Sequence, residues 1–340
     1  MYSFRNDYSE GAHPAVMAAL ERTNLELTAG YGMDPYCQSA ADTIRTLFGC
    51  SNADVHFLPG GTVANLTAIT AFLQQWECVV SPASGHIFVH ETGAIEAGGH
   101  KVLSVDCPDG KLTPAQLQEV FDRQERGENE FMVVPRLVYL SNATEWGTIY
   151  TRSELYALHE TCQKLGMYLY MDGARLAQAL VAEGSGVTCE DIGRCCDAFY
   201  IGGTKNGLLF GEAMVIVREE LKSHFRYVMK QRGAILAKGR LLGVQFCAYF
   251  ENGLWLELAR RSVQAAQRIQ KAFVEKGYTL YAVSPTNQIF LTVTNAQLQK
   301  LQKDFIFEIF SRPDADHAII RFATSWATTD EAVEALEQAI

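Results

Sequence analysis

Short apolar runs alternate with helical patterns over the first two-thirds of the chain. Residues 133–140 form an apolar, β-branched run, and residues 167–171 form another. Between them Thr151 and Glu154 make a capping box, and apolar positions then recur at helical spacing up to Gly166. This order of strand, helix and strand predicts two parallel strands joined by a right-handed crossover.

An earlier unit has the same character. Residues 55–58 form a strand pattern, residues 59–61 form a turn, and a helical pattern starts at Thr62. Further strands are predicted at 78–80 and 101–105, and Thr113-Pro114 predicts the start of another helix. These elements together predict one large, mostly parallel wound sheet.

The pattern changes beyond Gly239. A long amphipathic helix is predicted at about 254–276, followed by strands around 278–282, 288–293 and 318–323 and a helix capped by Thr329. We therefore predict an α/β protein with three parts: an N-terminal arm (1–30), a large α/β domain (31–239) and a smaller α+β domain (240–340).

Composition narrows the classes of partner. The 340 residues include 29 Lys plus Arg and 39 Asp plus Glu, which gives a net charge of −10. Such a charge repels nucleic acid and anionic membranes, so neither is an expected partner. The N-terminus carries charges in place of an apolar leader, and none of the nine cysteines forms a CxxC pair, so we expect a cytoplasmic protein with reduced thiols. The spacing of Cys189, Cys195 and Cys196 disfavours the alternative of a zinc site, and no metal is predicted.

Two of the predicted strand-end loops carry candidate ligand groups. In the first, Gly60 and Gly61 leave backbone N–H groups accessible before a helix that starts near Thr62, which suits one phosphate. The alternative is a tight turn in which Thr62 only caps the helix. In the second loop, Asp172 and Arg175 directly follow an apolar strand, where a partly desolvated carboxylate needs a cationic partner. The alternative is that these two residues pair with each other.

A third loop, 202–207, contains Lys205 between two glycines and Asn206. Held near cationic groups or in a dry pocket, the lysine amine loses its proton more readily and becomes a nucleophile toward carbonyl groups. The alternative is a hairpin turn at Asn206-Gly207, with Lys205 exposed to solvent. Neither the dinucleotide fingerprint nor a P-loop occurs, which disfavours a nucleotide-binding oxidoreductase.

A phosphate-sized helix end, a carboxylate and a lysine on separate loops are the three anchors that pyridoxal 5′-phosphate requires. Lys205 would bind its aldehyde, Asp172 its pyridine nitrogen, and Thr62 with the preceding amides its phosphate. His86 offers an imidazole that can stack on the pyridine ring. The rival interpretation of His86 and His90, four residues apart, is a metal-binding pair.

At these residues the sequence resembles the threonine aldolase family of the β-eliminating lyase group, which are fold-type I pyridoxal-phosphate enzymes. The resemblance covers essentially the whole chain. The motifs that carry it, in the family's order, are FRNDY, GYGMDP, PGGT, GHIFVHETGA, SNATEWGTIY, MDGAR, GGTKNG and IIRFATSW.

The resemblance implies a role for each matching residue. It makes Lys205 the Schiff-base lysine, His86 the stacking and catalytic imidazole, and Asp172 the partner of the pyridinium. The remaining implied cofactor contacts are Gly60, Gly61, Thr62, Thr204 and Arg175.

The implied substrate site contains Arg175 and Arg321, which would bind the substrate carboxylate, together with Asn6 and His90. The alternative for Arg321 is an internal salt bridge. Tyr31 would approach the cofactor of a neighbouring subunit in a homodimer or homotetramer, since active sites of this group lie at dimer interfaces.

Two departures from the family pattern affect these expectations. Asn6 stands where many members have serine, and residues 142–145 lack the second histidine that many members carry. Glu145 is therefore the second candidate base beside His86. The expected reaction is retro-aldol cleavage of L-threonine or L-allo-threonine to glycine and an aldehyde. The alternatives are a β-elimination or transamination with the same cofactor, or a catalytically silent binding protein.

Overall fold

Two larger sheets and a two-stranded pair organise the computed structural model, which describes residues 1–124 and 129–340. The strands of these residues are β1 (Tyr2–Ser3), β2 (Asp54–Leu58), β3 (Glu77–Pro82), β4 (Lys101–Val105), β5 (Val134–Ser141), β6 (Tyr168–Asp172), β7 (Ala198–Gly202), β8 (Glu212–Ile216), β9 (Thr279–Ala282), β10 (Gln288–Thr294), β11 (Phe305–Ile306), β12 (Glu308–Ser311) and β13 (His317–Ala323). The α-helices are α1 (Pro14–Arg22), α2 (Pro35–Leu47), α3 (Gly61–Phe72), α4 (His86–Val89), α5 (Ala94–Ala97), α6 (Pro114–Arg123), α7 (Arg152–Leu165), α8 (Leu176–Val181), α9 (Cys189–Cys195), α10 (Phe225–Gln231), α11 (Arg240–Phe250), α12 (Leu254–Glu275), α13 (Asn295–Leu301) and α14 (Asp330–Ala339).

The larger sheet has the strand order β2-β8-β7-β6-β5-β3-β4. Strand β8 is antiparallel to both of its neighbours, and the other strand pairs are parallel, which confirms the predicted mostly parallel sheet. Because β8 runs in the opposite direction, its first residue, Glu212, lies at the sheet edge where the other strands end. In the register Glu212 stands between Leu58 and Gly202.

Helix starts follow the polar residues that precede them. Thr113 and Thr151 both make complete capping boxes, and Thr329 accepts a hydrogen bond from the backbone N–H of Ala332. Helix α3 differs, because it begins at Gly61 after a Gly60 N-cap that supplies no side-chain hydrogen bond. The alternative of a helix capped by Thr62 is therefore wrong, and the first N–H groups of α3 remain available to a ligand.

The smaller sheet has the antiparallel order β12-β13-β10-β9, and α12 and α14 pack together beside it. Strand β12 does not appear in the sequence pattern, because it has only four residues and its two apolar residues are adjacent instead of alternating with polar ones. Strand β1 pairs in parallel with β11 in a separate two-stranded sheet, and the Ala323 N–H of β13 donates to the Phe4 carbonyl, which fastens the N-terminal arm beside the smaller sheet. The domain boundary near residue 240 stays a prediction. None of the helices in the described ranges combines the length and apolar character needed to cross a bilayer.

Candidate active site

A cavity of about 270 Å³ opens at the edge of the larger sheet where the parallel strands end. Ligand sites of open α/β sheets are found at this edge. The structure brings most of the predicted site residues together here. Its lining includes Tyr8, Gly60, Gly61, Thr62, His86, Glu145, Asp172, Arg175, Thr204, Lys205 and Glu212.

Asp172, the last residue of β6, is a buried carboxylate with several hydrogen-bond donors. Its Oδ1 accepts hydrogen bonds from Tyr200 Oη at 2.5 Å and from the Ala174 backbone N–H at 3.0 Å. Its Oδ2 accepts from Tyr139 Oη at 2.8 Å and from Asn65 Nδ2 at 3.0 Å. Burial alone would raise the pKa of Asp172, but nearby His86 and these donors outweigh it, and the pKa is lowered. The carboxylate therefore stays ionised, as a partner for a pyridinium must.

The N-terminal end of α3 supplies uncapped N–H groups to the same cavity. A side chain added at Gly60 would have its Cβ atom in open space, with no neighbour within 4 Å. A Cβ atom added at Gly61 would lie 3.2 Å from Tyr200 Oη. Side chains at these two positions would narrow the space in front of the helix. An anion of the size of a phosphate fits the charge and the donors at this end.

Lys205 lies in the loop that joins β7 to β8 and lines the cavity. Burial lowers the pKa of its amine, and the neighbouring Arg175 guanidinium lowers it further. The loop spans residues 203–211, and Asn206 is buried with its amide donating to Tyr249 Oη at 2.7 Å and to the Trp255 carbonyl at 2.8 Å. The predicted alternative of a two-residue hairpin turn with a solvated lysine is therefore wrong.

His86 begins α4, and its Nδ1 forms a 2.8 Å hydrogen bond with Glu91 Oε1. Glu91 is buried and also accepts a 2.8 Å hydrogen bond from Asn65 Nδ2, which in turn reaches Asp172. Since Nδ1 is engaged, Nε2 is the ring nitrogen left for reacting atoms. Asn65 and Glu91 were not singled out from the sequence; for Asn65 the available signal was a polar side chain within the apolar helical segment that forms α3.

Glu145, the second candidate base, lies next to His86. Its Oε1 accepts hydrogen bonds from the His86 backbone N–H at 2.8 Å and from Ser141 Oγ at 2.7 Å. Burial raises the pKa of this carboxyl, which makes its ionised form a stronger base. His86 and Glu145 are therefore both placed to take a proton in the cavity.

Arg175 forms a buried ion pair with Asp7, not with Asp172. Its Nε and Nη2 donate to the two Asp7 oxygens at 2.7 and 3.0 Å. The alternative of an Asp172–Arg175 pair is thus wrong. Burial would raise the pKa of Asp7, but Arg175 and Lys205 lower it to about 2. Asp7 was missed from the sequence because its partner lies 168 residues away.

Arg321, in the middle of β13, has the predicted internal salt bridge and one unused donor. Its Nη2 pairs with Glu308 on β12, and its Nη1 donates to Gln288 Oε1 at 3.0 Å. Its Nε is buried without a hydrogen-bond partner among the described residues. Burial and the charge of Arg175 lower the pKa of Arg321. Two guanidinium groups that repel each other in this way favour an anion between them.

Glu212 is a further buried carboxyl that sequence reasoning missed. Its Oε1 accepts from Thr204 Oγ1 at 2.8 Å and its Oε2 from the Gly203 N–H at 3.2 Å. Burial raises its pKa to about 8. No local pattern identifies it, because a glutamate at the first position of a strand is usually solvated.

Four of the predicted substrate residues, Asn6, Tyr31, His90 and Arg321, lie outside the cavity lining. Asn6 Oδ1 accepts from the Tyr8 N–H at 3.1 Å and Ser9 Oγ at 2.8 Å, and the His90 ring centroid is 5.5 Å from that of His86. Tyr31 is half exposed and lines a different cavity. Among the described residues no three His, Cys, Asp or Glu side chains converge as a metal site would require.

The family to which this arrangement belongs is shown by comparison with known proteins. A family model for β-eliminating lyases matches residues 4–296. A variant of the aspartate aminotransferase of Thermus thermophilus is 14% identical in sequence to this chain. Its structure matches with a TM-score of 0.75 over 100% of this chain and 90% of that chain, which shows that the two share a fold. The fold and the donor set define a fold-type I enzyme whose cofactor is pyridoxal 5′-phosphate.

More similar proteins narrow the family. Low specificity L-threonine aldolases of a Pseudomonas strain and of Pseudomonas aeruginosa are 32% and 30% identical, over 98% and 99% of this chain and 95% and 96% of their own lengths. The structure of a Leishmania major threonine aldolase has 42% identity and a TM-score of 0.97 over 99% of this chain and 98% of that one. The chain belongs to the threonine aldolase family of β-eliminating lyases.

Proposed function

We propose that the protein is a low-specificity L-threonine aldolase, which cleaves L-threonine and L-allo-threonine to glycine and acetaldehyde. The observation that carries this proposal is the meeting of Lys205, ionised Asp172 and two candidate bases, His86 and Glu145, in one cavity. A retro-aldol cleavage needs an amine-binding carbonyl site and a base for the β-hydroxyl proton.

Asp172 and Lys205 prepare the site for the cofactor. When bound, pyridoxal phosphate supplies an electron-withdrawing ring that accepts the electrons of the broken Cα–Cβ bond. The ionised Asp172 keeps the ring nitrogen protonated. Because burial and Arg175 lower its pKa, Lys205 is more often an uncharged amine and can react with a carbonyl group.

The two arginines bind the substrate carboxylate. Arg321 has its unused Nε, and Arg175 is held in a fixed orientation by its two hydrogen bonds to Asp7. A carboxylate between the two guanidinium groups relieves their mutual repulsion and fixes the amino acid relative to the ring. His86 Nε2 or the Glu145 carboxylate then takes the hydroxyl proton as the Cα–Cβ bond breaks.

The assembly that we propose is a homodimer or homotetramer in which Tyr31 reaches the neighbour's active site. Its support is the pair of exposed apolar side chains that line the same cavity here: Tyr31 is 50% exposed and Met33 68%. The net charge of −10 and the reduced cysteines support a cytoplasmic location.

Product analysis tests the activity. The loaded enzyme is incubated with L-threonine, and glycine, acetaldehyde, 2-oxobutyrate and ammonia are quantified; Lys205→Ala is the control. We expect glycine and acetaldehyde in equal amounts and no turnover by the variant. Formation of 2-oxobutyrate and ammonia without glycine would instead establish a β-elimination. Absence of turnover with any β-hydroxy amino acid, despite full loading, would establish a binding protein.

A further inference from the structure

Glu212 lies between the two loops that the cofactor must join. In the sheet register it is paired with Leu58 on one side and with Gly202 on the other. Leu58 leads into the uncapped end of α3, and Gly202 leads into the loop that carries Lys205. The carboxyl therefore stands between the helix end that suits a phosphate and the amine that suits a carbonyl.

The surroundings of Glu212 fix its carboxyl in place. The Thr204 hydroxyl and the Gly203 N–H donate to its two oxygens, and Thr204 Oγ1 also accepts from the Gly211 N–H at 3.0 Å. Glu212 thereby holds the two ends of the 203–211 loop together. The titratable groups that face it are Lys205 as a cation, Asp172 as an anion, and the hydroxyls of Tyr170, Tyr200 and Tyr249.

The residue is 3% exposed, and water cannot screen its charge. A phosphate dianion at the α3 end would then lie in the same small cavity as an ionised carboxylate. Two anions that share a desolvated site do not both remain charged, and the weaker acid binds the proton. Protonation would retain an acceptor oxygen for Gly203 and add an O–H donor beside the phosphate.

We propose that Glu212 is a positioning residue that takes up a proton from solvent when a phosphate monoester binds at the α3 end. This inference rests on the proposed placement of the cofactor phosphate. Near pH 8 the Glu212 carboxyl is partly ionised and partly protonated before the phosphate binds, and it is protonated once the phosphate is bound. Binding of the phosphate therefore weakens as pH rises from 7 to 9, by about tenfold for one proton with this starting pKa.

The test uses the full-length chain freed of cofactor and the probe pyridoxamine 5′-phosphate, which has no aldehyde and cannot react with Lys205. Calorimetry in two buffers of different ionisation enthalpy gives the number of protons bound. At pH 8.5 we expect the phosphate to add an uptake of about three-quarters of a proton per chain. Pyridoxamine, the same ring without a phosphate, gives the baseline.

Two variants locate the proton. Glu212→Gln keeps the shape of the side chain and one acceptor oxygen, replaces the other oxygen by an amide donor and is neutral at every pH, and we expect it to lose the phosphate-linked uptake and the tenfold pH dependence. The matched control is Glu91→Gln, another buried carboxyl of this site, which contacts His86 and should keep the uptake.

Equal uptake by the parent chain and Glu212→Gln would overturn the inference. If Glu212→Gln does not fold, the parent chain alone still tests the inference. Equal proton uptake on binding pyridoxamine and pyridoxamine 5′-phosphate would then overturn it. If the probe binds but no proton uptake depends on Glu212, this inference fails and the proposed aldolase activity is unaffected. Failure of the probe to bind the parent chain would overturn the cofactor placement and the inference with it.

Discussion

Asp172 and Glu212 are two buried carboxyl groups of one cavity, at the edges of strands separated only by β7. Asp172 is 4% exposed and Glu212 3%, so burial does not distinguish them. Asp172 accepts hydrogen bonds from four donors, whereas Glu212 accepts from two. The pKa of Asp172 is lowered, and that of Glu212 is raised to about 8.

This difference shows that a nearby imidazole, His86, and the number of donors, and not depth, decide which buried acid keeps its charge. Each donor stabilises the ionised form, and burial opposes it. Asp172 can therefore hold a cation on the ring nitrogen, while Glu212 changes its charge close to neutral pH. One cavity thus contains a fixed charge and a variable one.

Removing the fixed charge has the largest expected effect. In Asp172→Asn the shape is kept, but no anion remains to hold the ring nitrogen protonated. We expect kcat with L-threonine to fall about 10³-fold, the upper range for loss of one preorganised electrostatic group. Kinetics on the loaded variant, with cofactor content measured by absorbance, would check this. A variant within tenfold of the parent would contradict the role assigned to Asp172.

The Asp7–Arg175 pair tests what happens when a buried charge loses its partner. Asp7→Asn leaves the Arg175 guanidinium buried without a counter-charge, which we expect to lower the free energy of unfolding by about 3 kcal/mol. Asp42→Asn removes the partner of Arg45 in an exposed pair and should cost less than about 1 kcal/mol. Urea unfolding at pH 7 measures both, and equal losses would contradict the prediction.

The pH dependence of Asp7 has the opposite sign to that of Glu212. With a folded pKa of about 2 against 3.8 in the unfolded chain, Asp7 contributes stability above pH 3.8 that is lost as pH falls toward 2. Glu212, raised from 4.5 to about 8, costs stability as pH rises between these values. Glu212→Gln should therefore gain on the order of 3 kcal/mol over the parent between pH 5 and pH 8. Unfolding curves at the two pH values test this, and parallel pH profiles would contradict it.

The smallest effect concerns the donors around Asp172. Tyr200→Phe removes the 2.5 Å hydrogen bond to Oδ1, and Tyr139→Phe removes the 2.8 Å bond to Oδ2. Tyr139 Oη is also within 3.1 Å of Ser141 Oγ, so its hydroxyl is shared. We expect kcat to fall about tenfold for Tyr200→Phe and about threefold for Tyr139→Phe, from the strength of hydrogen bonds to charged groups. A larger loss for Tyr139→Phe would reverse the assignment of the stronger donor.

The sequence predicted the local elements well because their signals are local. The capping box at Thr151, the helix start at Thr113-Pro114 and the strand at 101–105 appear in the structure where the pattern places them. The convergence of Lys205, Asp172 and the α3 end also followed, since parallel strands bring their carboxyl ends to one edge. Strand β12 is short and half exposed, and it has no such signal.

Long-range partners could not be predicted in the same way. Asp7 meets Arg175 across 168 positions, and Asn65 meets Asp172 across 107. The reversed direction of β8, which carries Glu212 to the cavity, depends on strand pairing that no single segment encodes. The roles of the individual side chains in catalysis stay predictions until the variants are measured.

The N-terminal arm has a consequence for how the molecule is made. Strand β1 pairs with β11, and Phe4 and Asp7 contact β13 and Asn287 through hydrogen bonds. During synthesis β1 must therefore wait for a partner strand that is translated some 300 positions later, a delay of roughly 15–60 s at ordinary elongation rates. Until that moment β1 has no strand to pair with and Asp7 has no Asn287 amide beside it, so the N-terminal side of the pocket in the nascent chain stays unfinished.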